Sequence, residues 1–251
     1  DGVVVDLSRM KAARVDVNLR RAAVEGGATL ADLDAATQAH GLATPLGINS
    51  TTGVAGLTLG GGFGWLSRKH GMTIDNLESA EVVTAAGEVV YASASEHPDL
   101  FWALRGGSGN FGVVTRFEFR LHPVGPELLS GMIVYPISEA KSVLQQYRDF
   151  AAKAPDELSV WAVLRQAPPL PFLPREMHGK GIIALALLYV GDPEQGERHI
   201  APLRQFGNVA GEHVGVQPYT AWQQAFDPLL TAGARNYWKS HNFSVLQDGL
   251  F

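Results

Sequence analysis

Apolar positions along this chain switch repeatedly between a period of two and a period near three and a half, and the switches mark out its elements. The segment NLRRAAVEGGATLADLDAATQAHG reads as a short strand, a Gly26-Gly27 break and a helix. Thr29 followed by Asp32 forms a capping box with Asp where Glu or Gln is usual, and Gly41 stands where a helix C-cap glycine belongs. Leu30, Leu33 and Ala36 fall on one face, so this helix is expected to cover a core. LESAEVVTAAGEVVYAS places apolar runs on either side of Ala86-Gly87 and predicts a β-hairpin. DLFWALRGG predicts a short helix ended by Gly106. VVTRFEFRLHPV alternates strictly, with Thr115, Phe117, Phe119 and Leu121 on one face and Arg116, Glu118 and Arg120 on the other, which predicts a half-buried strand stopped by Pro123. The opening DGVVVDLS carries a strand-like apolar triplet.

The composition changes at HPVGPEL, where Pro123, Gly125 and Pro126 crowd together, and a domain boundary is expected there, dividing residues 1–124 from 125–251. Beyond it the pattern restarts as strand (LLSGMIVYP), helix (SEAKSVLQQYRDFAAKA), strand (LSVWAVLR), a proline-rich loop (APPLPFLP), strand (GIIALALLYV) and helix (PEQGERHIAPLRQFG). Such an order predicts an α+β arrangement, a sheet with helices on one face.

Charge and composition narrow the function. A net charge of -5 and a pI near 5.9 give no basic footprint, so no nucleic-acid partner is expected. With 0 cysteines, disulfides, thiolate metal sites and cysteine nucleophiles are excluded from these residues. The longest apolar run, GIIALALLYVG, is of core-element length, so no membrane partner is expected; the compartment is left open with a lean to the cytosol. The chain begins without an initiator methionine and without a signal-like pattern, which suggests an internal start, a processed end or a fragment.

The stretch GVAGLTLGGGFGWLSRKHGMTIDN concentrates Gly53, Gly56, Gly60, Gly61, Gly62 and Gly64. Glycine permits positive φ and lets backbone N–H groups approach a ligand, so the cluster suggests a cradle for a phosphate-bearing cofactor rather than an ordinary tight turn. A P-loop is ruled out, since Gly233 is followed at the required distance by Trp238 before Lys239-Ser240. GSGNFG does supply Gly107, Gly109 and Gly112 in a GxGxxG, but with a helix before it and a strand after, the reverse of a dinucleotide-binding turn.

That stretch, the hairpin VVTAAGEVV and DLFWALRGGSGNFGVVTRFEFRLHPV together resemble, in order and spacing, the second half of the PCMH-type FAD-binding domain of berberine-bridge-enzyme-like flavin oxidases of the vanillyl-alcohol-oxidase superfamily. YTAWQQAFDPLL and RNYWKSHNF are similar to that family's substrate-domain segments. The resemblance implies an α+β fold: the second subdomain of the FAD-binding domain, then part of a substrate domain with an antiparallel sheet and flanking helices. It implies FAD as cofactor, held by Thr51, Thr52, Gly53, Gly56, Leu57, Gly60, Gly61, Gly62, Gly112, Val113 and Val114, with Tyr237 and Lys239 on the substrate side.

The resemblance also implies the activity: hydride transfer from a substrate alcohol or amine carbon to flavin N5, with oxygen as acceptor. A dehydrogenase using another acceptor and a non-catalytic fragment unable to hold FAD are the alternatives. The expected partners are a small-molecule substrate and the electron acceptor. Members with a second covalent flavin link carry cysteine at the position of Asn49 and often histidine at that of Leu57, so no such link is expected here. A single histidyl link belongs to a loop that in the family precedes a DGVVVDLS-like strand, and the family's tyrosine-containing catalytic segment lies beyond the position of Phe251. No catalytic base is therefore assigned.

Further candidates are weighed residue by residue. His70 is a cofactor-side candidate, though a loop histidine beside Arg68 and Lys69 is commonly structural. Asp75 and Asn76 are expected to brace the turn after the glycines. Thr52 is placed by the resemblance beside the flavin, where it tunes oxygen access. Arg235 and Trp238 are grouped with Tyr237 and Lys239. His97 and His178 lack metal-ligand spacing, and the Asn49-Ser50-Thr51 sequon is assigned to chance.

Overall fold

The computed structural model describes residues 2–229, 233, 235, 237 and 239–251, and its chain divides into two compact units, Asp1–Pro126 with Pro218–Leu230, and Glu127–Gln217 with Thr231–Phe251. In the first unit the elements run β1 (Ala13–Asp16), β2 (Arg21–Glu25), α1 (Leu30–Gln38), β3 (Leu42–Ala43), α2 (Val54–Leu59), α3 (Ser67–His70), β4 (Leu77–Val83), β5 (Val89–Ser93), α4 (Pro98–Leu104), β6 (Val113–Arg120) and β7 (His122–Pro123). The second unit holds β8 (Glu127–Pro136), α5 (Ala140–Ala151), β9 (Leu158–Gln166), β10 (Gly181–Tyr189), α6 (Pro193–Ile200) and β11 (Gly211–Pro218). After β11, helix α7 (Tyr219–Gln224) belongs to the first unit.

The first unit is a five-stranded antiparallel sheet ordered β1-β2-β6-β4-β5. Strand β6 lies at its centre, and its alternation is the one read from sequence: Phe117 and Phe119 are wholly buried while Arg116 and Arg120 are exposed. The buried face meets Leu30 and Leu33 of α1, Val54 and Leu59 of α2, and Phe101 and Leu104 of α4. The opposite face is polar, with Arg21 paired to Glu78 at 2.6 Å and Arg116 to Glu81 at 3.3 Å. The expected capping box is present, Asp32 N donating to Thr29 Oγ1 at 3.3 Å and Thr29 N to Asp32 Oδ2 at 2.9 Å.

The second unit is a four-stranded antiparallel sheet ordered β11-β8-β10-β9. Strand β10 is buried along nearly its whole length, as a continuous apolar run between two paired neighbours should be. One face packs on α5 and α6 through Val143 and Ile200, and the other is covered by Leu170, Phe172 and Leu173 of the proline-rich loop.

Two expectations need correction. Val3, Val4 and Val5 form no strand and are exposed, at 94%, 89% and 62%. The helix predicted over 193–207 stops at Ile200 and continues as a 3₁₀ turn, because Pro202 has no N–H to extend it. Within the glycine-dense stretch, Val54–Leu59 is helical.

Candidate active site

Helix α2 divides the glycine cluster into two groups with different physical duties. Val54, Thr58 and Leu59 are buried on one side of it. Gly53, its N-cap, with Gly56 and Gly60 occupies the other side at i, i+3 and i+7, and all three are exposed. A Cβ added at Gly53 or Gly56 meets nothing within 4 Å, so packing within the unit does not demand glycine there. The result is an exposed helix face of bare backbone.

Gly61, Gly62 and Gly64 answer instead to the chain itself. Gly61 and Gly62 are buried with φ of 112° and 71°, and their carbonyls accept from Ile74 N at 3.1 Å and Thr73 N at 2.9 Å. A Cβ on Gly62 would lie 2.4 Å from Thr73 Oγ1, and one on Gly64 would lie 1.9 Å from Leu46 O. Leu57 is half-buried and its side chain packs beside Gly47 and Gly62.

The turn before α2 is tied from two directions. Asn49 Oδ1 accepts from Thr51 N at 3.1 Å and Thr51 Oγ1 at 2.6 Å, leaving Thr51 exposed and Thr52 half-buried beside the glycine face. Ser50 N and Ser50 Oγ donate to the Asp227 carboxylate at 2.8 and 2.5 Å. The Asn49-Ser50-Thr51 triplet is thus a built turn. Around it Trp65 packs against Trp222 at 5.3 Å and Phe226 at 5.8 Å, so the α7 segment grips the glycine stretch within the first unit.

The second glycine segment reaches α2 through one hydrogen bond, Ser108 N to Leu59 O at 2.9 Å. It lies between α4 and β6, the helix-before-strand order read from the sequence. Gly112 has φ of 138°, and a Cβ there would sit 2.7 Å from Val83 O. Val113 and Val114 pair with Val83 and Val82; Val113 is half-buried and Val114 is buried, at 3% exposed.

His70 stacks on His122 with ring centroids 3.9 Å apart. Asn76 holds the pair: its Nδ2 donates to His70 O and Met72 O, both at 2.9 Å, so its Oδ1 accepts from His122 Nε2 at 2.6 Å. Burial, with Arg120 nearby, lowers the His122 pKa. Asp75 Oδ2 accepts from Met72 N at 2.8 Å, so Asp75 and Asn76 brace this turn. His97 Nδ1 and His178 Nε2 engage the carbonyls of Tyr91 and Leu173. In the second unit Lys239 Nζ lies 5.6 Å from the exposed Tyr237 ring; Arg235 is exposed, and Trp238 lies outside the described residues.

Sequence reasoning missed Asp34, Gln223 and Asp227. Asp34 sits at the centre of the buried stripe Leu30, Leu33, Asp34 and Thr37. A carboxylate at i+4 of an apolar face was the available signal. Burial raises its pKa to about 7, against a hydrogen bond from Gln223. No local signal marks Gln223 or Asp227, whose partners are distant in sequence.

Comparison with known proteins shows what the chain is similar to. Residues 1–93 match the family described as FAD binding domain. An FAD-linked oxidoreductase of Dictyostelium discoideum is 35% identical over 94% of this chain and 50% of its own length. The (R)-6-hydroxynicotine oxidase of Paenarthrobacter nicotinovorans is 33% identical over 87% of this chain and 46% of its own. The chain is similar to FAD-linked oxidoreductases, and its structural neighbours include a BBE-like protein of Physcomitrella patens. The solved structure of 6-hydroxy-D-nicotine oxidase from Arthrobacter nicotinovorans superposes with a TM-score of 0.80 at 30% identity, covering 93% of this chain and 50% of that one. A xylooligosaccharide oxidase from Myceliophthora thermophila C1 gives 0.74 at 31%, covering 89% and 46%. The α+β fold matches half of a solved FAD-linked oxidase, and the chain spans about half the length of the relatives it matches. Among the described residues no helix is long and apolar enough to cross a membrane.

Proposed function

We propose that the protein containing this chain is an FAD-dependent oxidoreductase acting on an alcohol or amine carbon of a small molecule, with oxygen as the electron acceptor. The exposed glycine face of α2 carries this reading. Gly53 and Gly56 have open space where any other residue would project a Cβ, and a flat cofactor needs that approach to backbone. The residues present therefore fit FAD. Thr51, Thr52, Gly53, Gly56 and Gly60 would hold it along α2, with Leu57, Gly61 and Gly62 shaping the loop behind. Gly112, Val113 and Val114 would contribute backbone from the strand that Ser108 ties to α2.

When bound, FAD supplies the hydride-accepting N5, and the chain supplies orientation and exclusion of water. Asn49 and Asp227 hold the turn before α2 so that Thr52 keeps one position beside the glycine face. Tyr237 and Lys239 are the proposed substrate-side residues. Relatives named as oxidases of hydroxynicotine and xylooligosaccharides support a small-molecule substrate with an oxidisable C–N or C–O carbon.

The test is made on the full-length protein. It is expected to be yellow, to bleach with substrate under anaerobic conditions, and to release hydrogen peroxide in air. A Gly56→Leu variant is expected to keep its circular dichroism spectrum and lose its flavin. A colourless protein that added FAD cannot reconstitute would overturn the reading, and flavin retained by Gly56→Leu would remove α2 from the site.

A further inference from the structure

Helix α7 packs on α1 within the first unit, and the segment that carries it is tied at both ends. Tyr219 N donates to Pro126 O at 2.8 Å, and the Asp227 carboxylate takes the two Ser50 donors. Between these ties Trp222 packs on Trp65 at 5.3 Å and Tyr219 is buried. The polar contact with α1 is made by Gln223, whose Nε2 donates to Asp34 Oδ2 at 3.0 Å and to Gly47 O at 3.3 Å. Asp34 is 3% exposed, and its Oδ1 has no hydrogen-bond partner.

No counter-charge stands ready for this carboxyl. Residues 218–230 and 44–53 contain no Lys, Arg or His, and their one charged side chain, Asp227, is engaged by Ser50. On the sheet side β1 packs Ala13 and Val15 on the core around α1 while Arg14 and Asp16 are exposed, and β3 is Leu42–Ala43. On α1 itself Asp32 is bound to Thr29. The titratable group that senses Asp34 from α7 is Tyr219, whose pKa is raised by burial and by that carboxyl.

We propose that the α7 segment is a pH-gated strap, held on α1 while Asp34 is neutral and loosened when Asp34 ionises. A neutral carboxyl needs no counter-ion beneath α7, whereas an ionised one is a buried charge with a single amide donor. Lifting α7 takes Gln223 away from the carboxylate and returns it to water. The same movement draws Asp227 from Ser50. That this relaxes the turn before α2 toward FAD rests on the proposed function, whereas the strap itself is read without flavin.

The experiment is hydrogen–deuterium exchange of the full chain from about pH 5 to about pH 8, read by mass spectrometry on peptides covering α7 and β6 and corrected for the intrinsic pH dependence of exchange. The α7 peptide is expected to open more readily than β6. Its opening constant is expected to rise about tenfold for each pH unit up to about 7 and then to level off, since burial keeps Asp34 protonated to about that pH. Asp34→Asn is expected to abolish the rise. Gln223→Met keeps the volume and removes the donor that favours the ionised form, so the rise is expected to continue to higher pH before it levels. A flat α7 profile in the unmodified chain, a rise that persists in Asp34→Asn, α7 exchange no faster than that of β6, or an unmoved plateau in folded Gln223→Met would overturn the proposal.

Discussion

The carboxylate of Asp227 takes both the N–H and the hydroxyl of Ser50, at 2.8 and 2.5 Å, across a separation of 177 residues. Ser50 is 6% exposed, so water offers its donors little compensation if the carboxylate is removed. Asp227→Ala is expected to destabilise the chain by about 1–3 kcal/mol, measured by urea unfolding, with Asp227→Asn recovering part of the loss. In the full-length protein the same change is expected to weaken FAD binding, because the turn before α2 loses its anchor.

The two groups of glycines predict opposite responses to the same substitution. Gly56 is helical and a Cβ there meets open space, so Gly56→Ala is expected to stabilise the chain by up to about 1 kcal/mol while weakening FAD binding. Gly62→Ala is expected to destabilise by about 1–3 kcal/mol, since φ is 71° and the methyl meets Thr73 Oγ1 at 2.4 Å. Denaturant midpoints of the two variants test this directly, and a shared sign would contradict the division.

Asp34 imposes a pH dependence of known sign. Its pKa rises from 3.8 to about 7 on folding, so across that interval the folded chain keeps a proton that the unfolded chain has lost. Its contribution to stability therefore declines as pH rises from about 4 to about 7, by a few kcal/mol in all. Asp34→Asn is expected to remove this slope in unfolding curves collected across the range.

His122 works in the other direction. Its folded pKa lies below the usual 6.5, so on acidification the unfolded chain takes up the proton first and stability falls as pH drops through that region. His122→Gln, which keeps a donor for Asn76 Oδ1, is expected to flatten the acid side of the profile. An NMR titration midpoint for His122 above 6.5 would contradict the assignment.

Much was legible in the sequence because it is written in local periodicity. The alternation of β6, the capping box at Thr29 and Asp32, the hairpin of β4 and β5 and the apolar run of β10 depend on neighbours a few residues away, and the chain could be read for them. The glycine cluster was likewise visible as a place where backbone must approach something.

Tertiary structure alone decided which glycines face outward. Gly56 and Gly62 are identical as letters, and only the position of Thr73 against one and open space against the other separates their duties. It also decided that Asp34 meets Gln223 and that Ser50 meets Asp227, because polar side chains carry no periodic mark of a partner 177 or 189 residues away. Burial and pairing belong to the fold as a whole, and a charge on an apolar stripe is explained only when the segment that covers it has come into place.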